Sequence, residues 1–342
     1  MKAFVSVNSG FGGAEKQFDQ LVQDLLAADL VDEEWTYHRH DLSSTSRLAI
    51  FRALCRQRGG TVVYNMSVLG VGVWPLMLLR LLGNRILLFP HVVVSPSRSR
   101  PKIWRLRAFL QVFSTRLADR IVAISDGNLY TLERFVPREK LSVVYNYVGC
   151  ENDMPFQIKP LNRDIAIIGR LQDQHKQQLT FLRHHGDLLR EKGLVLHIFG
   201  SGPDENAIRM TVAEQGLESN VLLHGWSNED AIYAHPFSFV LNLSRWEGMP
   251  LSILEAIYRD RIVLLSDVDG NRELAYGDFL FKSDEELREL LVRMVVDHDI
   301  DYALLRSQKR RLFQRCRRDR SLRLFCQALE NLVSDKANRT LK

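Results

Sequence analysis

The sequence predicts an α/β protein made of two doubly wound, mostly parallel-sheet domains in tandem. Three observations predict it. Short runs rich in Val and Ile alternate with longer amphipathic stretches along the chain, the pattern of strands buried on both faces and joined by crossover helices. The pattern restarts midway, after a segment from 149 to 163 that has no clear period and carries Pro155 and Pro160. A length of 342 residues also suits two domains of ordinary size better than one.

Taken in order, the runs at 3–7, 61–65, 86–90, 121–124 and 142–145 read as the first set of strands. Those at 165–168, 195–199, 221–223, 239–243 and 262–265 read as the second. The stretches 15–28 and 102–117 read as amphipathic helices between strands. The N-terminal apolar run is too short for a signal peptide and reads as the first strand. The longest apolar stretch, 68–82, is interrupted by Pro75 and Arg80. It falls short of the roughly 20 apolar residues a membrane span needs. A buried helix is expected there, with an interfacial segment as the lesser option. A last helix is read over 302–333, basic from Lys309 to Arg323 with these charges exposed.

Composition narrows the function. The apolar and charged fractions are those of a soluble globular protein, and the net charge of +5 is modest. Zinc-finger and aromatic RNA-binding signatures are absent, which argues against a nucleic-acid partner. Cys55, Cys150, Cys316 and Cys326 form no CxxC pair and have no His cluster beside them. They read as reduced thiols in a reducing, cytoplasmic compartment, and a structural zinc site is not expected. No complete G-x-G-x-x-G with an acid roughly 20 residues on is found, which argues against a nicotinamide-dependent dehydrogenase.

The chemistry concentrates in the second half. Ser244-Arg245-Trp246-Glu247-Gly248-Met249-Pro250-Leu251 follows a strand and opens a helix that contains Glu255. A helix start favours a phosphate, and the two carboxylates suit hydroxyl donors at either end of an elongated ligand. Upstream, Ile167-Ile168-Gly169-Arg170-Leu171 ends a strand, and Lys176 follows. Arg offers a planar fork to phosphate oxygens and Lys a point charge. Gly200-Ser201-Gly202-Pro203 follows the next strand, and Gly225 and Trp226 the one after. In the first half, Gly10-Phe11-Gly12-Gly13-Ala14-Glu15 joins the first strand to the first helix, and small residues there let backbone approach an anion. His91 ends the 86–90 strand, where a side chain points into the crevice.

These segments resemble the retaining glycosyltransferases of the GT-B fold, family four. The resemblance rests on E-x7-E (Glu247, Glu255), G-R-L-x5-K (Gly169, Arg170, Leu171, Lys176), G-G-A-E (Gly12 to Glu15) and a closing G-x-x-E (Gly270, Glu273). Ser125 and Asn146 match strand-end positions of the family. The resemblance implies two Rossmann-like domains facing across a cleft: an acceptor-binding domain over 1–150 and a nucleotide-sugar domain over 163–301. A helix over 302–342 would cross back to the first. It implies that Glu247 holds the donor sugar and Glu255 the ribose, with the backbone of Met249, Pro250 and Leu251 near the sugar or diphosphate. Arg170 and Lys176 would bind the diphosphate, His91 would lie near the reacting sugar, and Gly12, Gly13 and Gly202 would give backbone approach to the donor. The base would lie near Trp226. The implied reaction is metal-independent transfer, with retention, from a nucleoside diphosphate sugar to an acceptor hydroxyl.

The chain departs from the pattern in three turns, one of them at Tyr147, where the family has Gly after the Asn matched by Asn146. Gln177 stands where the family has Gly after the Lys, and Asp260-Arg261-Ile262 replaces Gly-x-Pro. Charge and the basic, aromatic segment around Arg98, Arg100, Lys102, Trp104, Arg105 and Arg107 suggest a glycan or lipid-linked acceptor of a bacterial envelope, with an anionic membrane surface as a further partner. The same residues, as a solvated helix face, explain that segment slightly better. The rival readings are a sugar-nucleotide epimerase or hydrolase on the same fold and a non-enzymatic binder of anionic surfaces.

Overall fold

The structure is a computed structural model, described over residues 2–8, 12–41, 44–66, 73–91, 102–149 and 156–340. The chain divides into two compact units: Met1–Tyr147 together with Cys316–Lys342, and Val148–Arg315.

The first unit alternates strand and helix: β1 (Lys2–Asn8), α1 (Gly13–Ala27), β2 (Trp35–Asp41), α2 (Arg47–Cys55), β3 (Thr61–Met66), α3 (Val73–Leu81), β4 (Arg85–Pro90), α4 (Lys102–Leu117), β5 (Arg120–Ala123), α5 (Asp126–Glu133) and β6 (Leu141–Val143). All its strand pairs are parallel, in the order β2-β1-β3-β4-β5-β6. Ala3, Val5, Tyr64, Leu88 and Ile121 pack on one face with α2 and α3. On the other, Phe4 meets Phe18 of α1 at 6.2 Å and Phe325 at 6.3 Å between ring centroids. Each of these fully buried rings contributes about 2–3 kcal/mol of apolar burial.

The second unit contains β7 (Asp164–Ile168), α6 (Asp173–Lys176), α7 (Gln178–Lys192), β8 (Val195–Phe199), α8 (Glu205–Glu214), β9 (Val221–Gly225), α9 (Glu229–Tyr233), β10 (Phe239–Asn242), α10 (Leu251–Tyr258), β11 (Ile262–Ser266), α11 (Asp269–Arg272), β12 (Leu280–Phe281), α12 (Asp284–Leu291) and α13 (Tyr302–Arg315). Its parallel order is β12-β11-β10-β7-β8-β9. The chain winds outward from β7 through β8 to β9, then restarts on the other side at β10. The carboxyl ends of β7 and β10 therefore form a topological switch point, where ligands of such sheets bind.

Three expectations are corrected. Each sheet has six strands rather than five, because β2 and β12 escape the pattern. Both are edge strands, and Trp-Thr-Tyr-His-Arg-His-Asp in β2 is only partly buried, so it needs no apolar run. The basic C-terminal segment is not one helix over 302–333: α13 stops at Arg315, and α14 runs Arg318–Thr340. No Gly or Pro marks the break, so periodicity runs through it. Lys309 is not a solvated charge. It is buried and donates to Asp260 Oδ1 at 2.6 Å.

The stretch 68–82 is helical from Val73, and α3 buries Val73, Leu76 and Leu79 while Met77 and Leu81 are exposed. Residues 67–72 lie outside the described residues, as do Arg98, Arg100 and the side chains of Lys102 to Arg107. Helix α14 belongs to the first unit, where Arg318 pairs with Asp24 at 2.7 Å and Ser321 Oγ donates to the Tyr145 carbonyl at 2.9 Å. Among the described residues no helix is long and apolar enough to cross a membrane.

Candidate functional site

The switch point of the second unit carries the motif residues. Glycines let its three strand-end turns lie backbone to backbone. Gly169 N–H donates to the Phe199 carbonyl at 2.9 Å, Leu171 N–H to Ser201 at 3.0 Å, and Gly200 N–H to Gly225 at 2.7 Å. A Cβ on Gly200 would lie 1.9 Å from the Gly169 oxygen, and one on Gly202 2.2 Å from the Leu171 oxygen. Both positions exclude any larger residue, so turn packing alone accounts for these glycines.

Lys176 ends α6, a short helix fixed at both ends. Asp173 accepts from Thr180 N–H at 2.8 Å and Thr180 Oγ1 at 2.6 Å, and its own N–H donates to Asp204 at 2.6 Å. Lys176 Nζ reaches Glu247 Oε1 at 2.5 Å, with 17% and 9% of the two side chains exposed. The pair joins the β7 and β10 strand ends. Burial, the largest influence on Glu247, pushes its carboxyl up. The charge of Lys176, with its hydrogen bond to the carboxylate, outweighs it, and the carboxyl is held below its ordinary value. Glu247 is therefore an ionised acceptor at neutral pH.

Arg170 is exposed, and its backbone carbonyl accepts from Gln178 Nε2 at 3.0 Å. Among the described residues its guanidinium enters no ion pair. Met249, Pro250 and Leu251 are buried where the Glu247 loop enters α10. Pro250 at the N-cap supplies no side-chain acceptor, and no acid occupies the first turn. That helix start keeps backbone N–H groups and positive dipole for an anion. Glu255 lies one turn further along α10, half-buried, and its charge helps to raise the Tyr233 phenol, after burial. The structure thus brings Lys176 and Glu247 into contact and sets Glu255 apart from that pair along α10.

Three residues that sequence reasoning passed over complete the arrangement. His175 stacks on Trp246 with ring centroids 4.6 Å apart and planes 3° apart. Its Nε2 lies 2.8 Å from the Trp246 carbonyl, so that nitrogen carries the hydrogen, while Arg245 N–H donates to the His175 carbonyl at 2.9 Å. Burial first, then Lys176, lowers the His175 pKa, which keeps the ring neutral. Asn242 Oδ1 accepts from Ser244 N–H at 3.0 Å, and Asn271 Nδ2 donates to the Ser266 carbonyl at 2.9 Å. The only signal for His175 was its position beside Lys176. Asn242 gave none beyond its place at the end of β10, and Asn271, inside α11, gave none.

The closing G-x-x-E proves to be a support for the loop. A Cβ on Gly270 would lie 2.7 Å from the backbone of Glu247 and Gly248, and Glu273 pairs with Arg315 at 3.2 Å. A concavity lined by Phe156, Pro160, Ser238, Asp260 and Arg261 opens at the amino ends of β10 and β11, away from this chemistry.

In the first unit, Gly12 caps α1, and its N–H donates to the buried Glu15 carboxylate at 2.9 Å. Glu15 thus fastens its own turn. Gly13 begins the helix and is exposed; Gly10 and Phe11 lie outside the described residues. His91 is 3% exposed, its Nε2 has no hydrogen-bond partner among the described residues, and burial pushes its pKa down to about 3. Ser125 caps α5 by accepting Asn128 N–H at 3.0 Å. Trp226 is exposed beyond β9.

Comparison with known proteins places this geometry. Residues 162–297 match the family model described as glycosyl transferases group 1. A curated relative, the Escherichia coli UDP-Gal:alpha-D-GlcNAc-diphosphoundecaprenol alpha-1,3-galactosyltransferase, is 26% identical over 55% of this chain and 53% of its own length. A Campylobacter jejuni 4-alpha-N-acetylgalactosaminyltransferase acting on a diphospho-undecaprenol substrate is 26% identical over 67% of this chain and 63% of its own. The chain thus spans little more than half the length of these relatives. Among solved structures, Anabaena Alr3699/HepE in complex with UDP superposes with a TM-score of 0.71 at 16% identity, covering 98% of this chain and 100% of that one. Staphylococcus aureus TarM gives 0.65 at 16% identity, covering 83% and 57%. At such identities these structures establish the shared fold.

Proposed function

We propose that this chain, a GT-B-fold protein whose residues 162–297 match the group 1 glycosyl transferases, moves a sugar from a nucleoside diphosphate donor to an acceptor hydroxyl. The observation that carries the reading is the Lys176–Glu247 pair across the switch point, beside the uncapped start of α10. The ionised Glu247 accepts hydrogen bonds from sugar hydroxyls, and Glu255 accepts from the ribose. Lys176, held in advance by Glu247, and Arg170, which enters no ion pair among the described residues, meet the diphosphate together with the α10 N–H groups. Positive charge fixed where negative charge develops lowers the barrier to departure of the nucleoside diphosphate. His91, neutral and with an Nε2 that has no partner among the described residues, suits a hydrogen-bonding role and not that of a charged acid.

The acceptor is proposed to be a glycan or lipid-linked intermediate of a bacterial envelope polysaccharide, worked on from the cytoplasmic side. Support comes from the diphospho-undecaprenol substrates in the names of the curated relatives and from the basic, aromatic segment over 98–107. An anionic membrane surface is the further partner on this reading. Flotation with anionic vesicles at low salt should carry the protein upward, and neutral vesicles should not. Equal recovery with both would remove the membrane from the proposal.

A thermal-shift screen of nucleoside diphosphate sugars tests the donor. A donor at about 100 times its Kd stabilises the folded state by about 2.7 kcal/mol and raises Tm. No shift with any of them would contradict the reading. Donor consumption that is indifferent to added acceptor would favour the epimerase or hydrolase alternative.

A further inference from the structure

Three histidines far apart in the chain converge at the edge of the second sheet, and the chemistry above uses none of them. His197 lies in β8, His224 in the edge strand β9, and His235 just past α9. One ring nitrogen from each lies within 4.8 Å of the others. His197 Nδ1 and His224 Nε2 are 3.0 Å apart, in hydrogen-bond contact, and a separation of a few tenths of an ångström more would match two nitrogens on one tetrahedral ion with bonds of about 2.0–2.1 Å.

The local fold explains the convergence. Leu222 pairs with His197 across the ladder, and His224, two residues on, returns to the same face. A register shift sets Phe199 opposite Gly225 and leaves His224 as the extra residue of a bulge. Its ring stacks on Phe199 at 4.4 Å, while His235 crosses it at 4.4 Å and 56°. The cluster therefore has an aromatic floor. His197 is buried and the other two are half-buried, so the group is sheltered yet open to an ion from solvent.

The far side of His197 is also prepared. Its Nε2 makes no hydrogen bond and faces Asp164 Oδ2 at 3.7 Å. A carboxylate behind a ligating imidazole fixes the tautomer, here with the hydrogen on Nε2 and the Nδ1 lone pair turned to the cluster. Burial lowers His197, which Asp164 only partly opposes, and lowers His224, where His235 and His197 add to the effect. Neutral imidazole is the form that ligates.

We propose that His197, His224 and His235 bind one divalent transition-metal ion of the zinc type, with Asp164 orienting His197. Three imidazoles leave a fourth tetrahedral position for water. The ion staples edge strand β9 to the segment after α9, closing the loop that carries Trp226. This site is separate from Lys176 and Glu247, and the proposal does not depend on glycosyl transfer. It also revises the expectation of no zinc site, which rested on cysteine spacing: these three ligands are too widely spaced in sequence to form a motif.

The test uses the full chain, expressed without a histidine tag, stripped with a chelator and titrated with Co2+ and then Zn2+. A single tight Co2+ per chain is expected, with the intense visible absorption of four-coordinate cobalt, displaced by Zn2+. His224→Asn and His235→Asn should each abolish that spectrum. Asp164→Asn should weaken binding by about tenfold to a hundredfold. His184→Asn should leave binding unchanged; His184 and Asp284, 2.7 Å apart, are a competing exposed cluster. Circular dichroism of the stripped variants checks that they fold. Absence of four-coordinate cobalt in the unmodified protein would overturn the proposal whatever the variants do. So would its survival in both histidine variants, or its loss in His184→Asn.

Discussion

Gln177 sits at φ +55°, between Lys176 and the start of α7. This is the left-handed region, which costs an L-residue about 1 kcal/mol or more and glycine little. The departure from the family's Gly thus leaves the loop shape intact and is borne as local strain. Gln177→Gly should raise unfolding free energy by about 0.5–1 kcal/mol, read by urea denaturation, with Lys176 still in place. An unchanged or lower stability would show that the side chain contributes more than its backbone conformation costs. The convergence of Lys176 and Glu247 was legible. Glu247 and Lys176 stand out because ionised groups at strand ends have few structural reasons to be there. His175 did not stand out: its role is a stack on Trp246, and contacts between loops 71 positions apart leave no trace in local sequence.

Among elements, central strands were legible and edges were not. β7, β8, β10 and β11 are buried on both faces and announce themselves as apolar runs. β2 and β12, covered on fewer sides, do not. The break between α13 and α14 was hidden for a related reason, since a basic helical pattern continues across it. Helix α13 is pinned by Lys309, which donates to the Tyr258 carbonyl at 3.2 Å and to Asp260 at 2.6 Å. Asp260 stands at φ +59°, in the turn where the family carries Gly, and its side chain turns that departure into an anchor. Only 5% and 10% of the two side chains are exposed. Removing one partner leaves a buried charge uncompensated, so Lys309→Met should destabilise by about 3–5 kcal/mol. The double change Lys309→Met with Asp260→Gly should recover most of that loss. A single-variant cost below about 0.5 kcal/mol, measured by denaturant unfolding, would place the pair effectively in water.

For the molecule as a whole, two parallel sheets wound outward from β1 and β7 follow from the alternation of buried strands and crossover helices. That winding fixes where chemistry gathers, because only the carboxyl ends beside the switch strand lack a crossover helix above them. The histidine cluster at the β9 edge lay outside sequence reasoning because it depends on a bulge and on strand order. The central claim is that Lys176 and Glu247 act as one unit on the donor. The most direct measurement is kcat/KM for transfer from the donor found by thermal shift, for Lys176→Gln, Glu247→Gln and the double variant. Glutamine preserves hydrogen-bonding bulk, and melting curves establish that each variant folds. Each single change should lower kcat/KM by about a hundredfold or more. The double variant should fall no more than about tenfold below the worse single, as coupled residues do. Folded single variants that both transfer sugar at the unmodified rate would contradict the account.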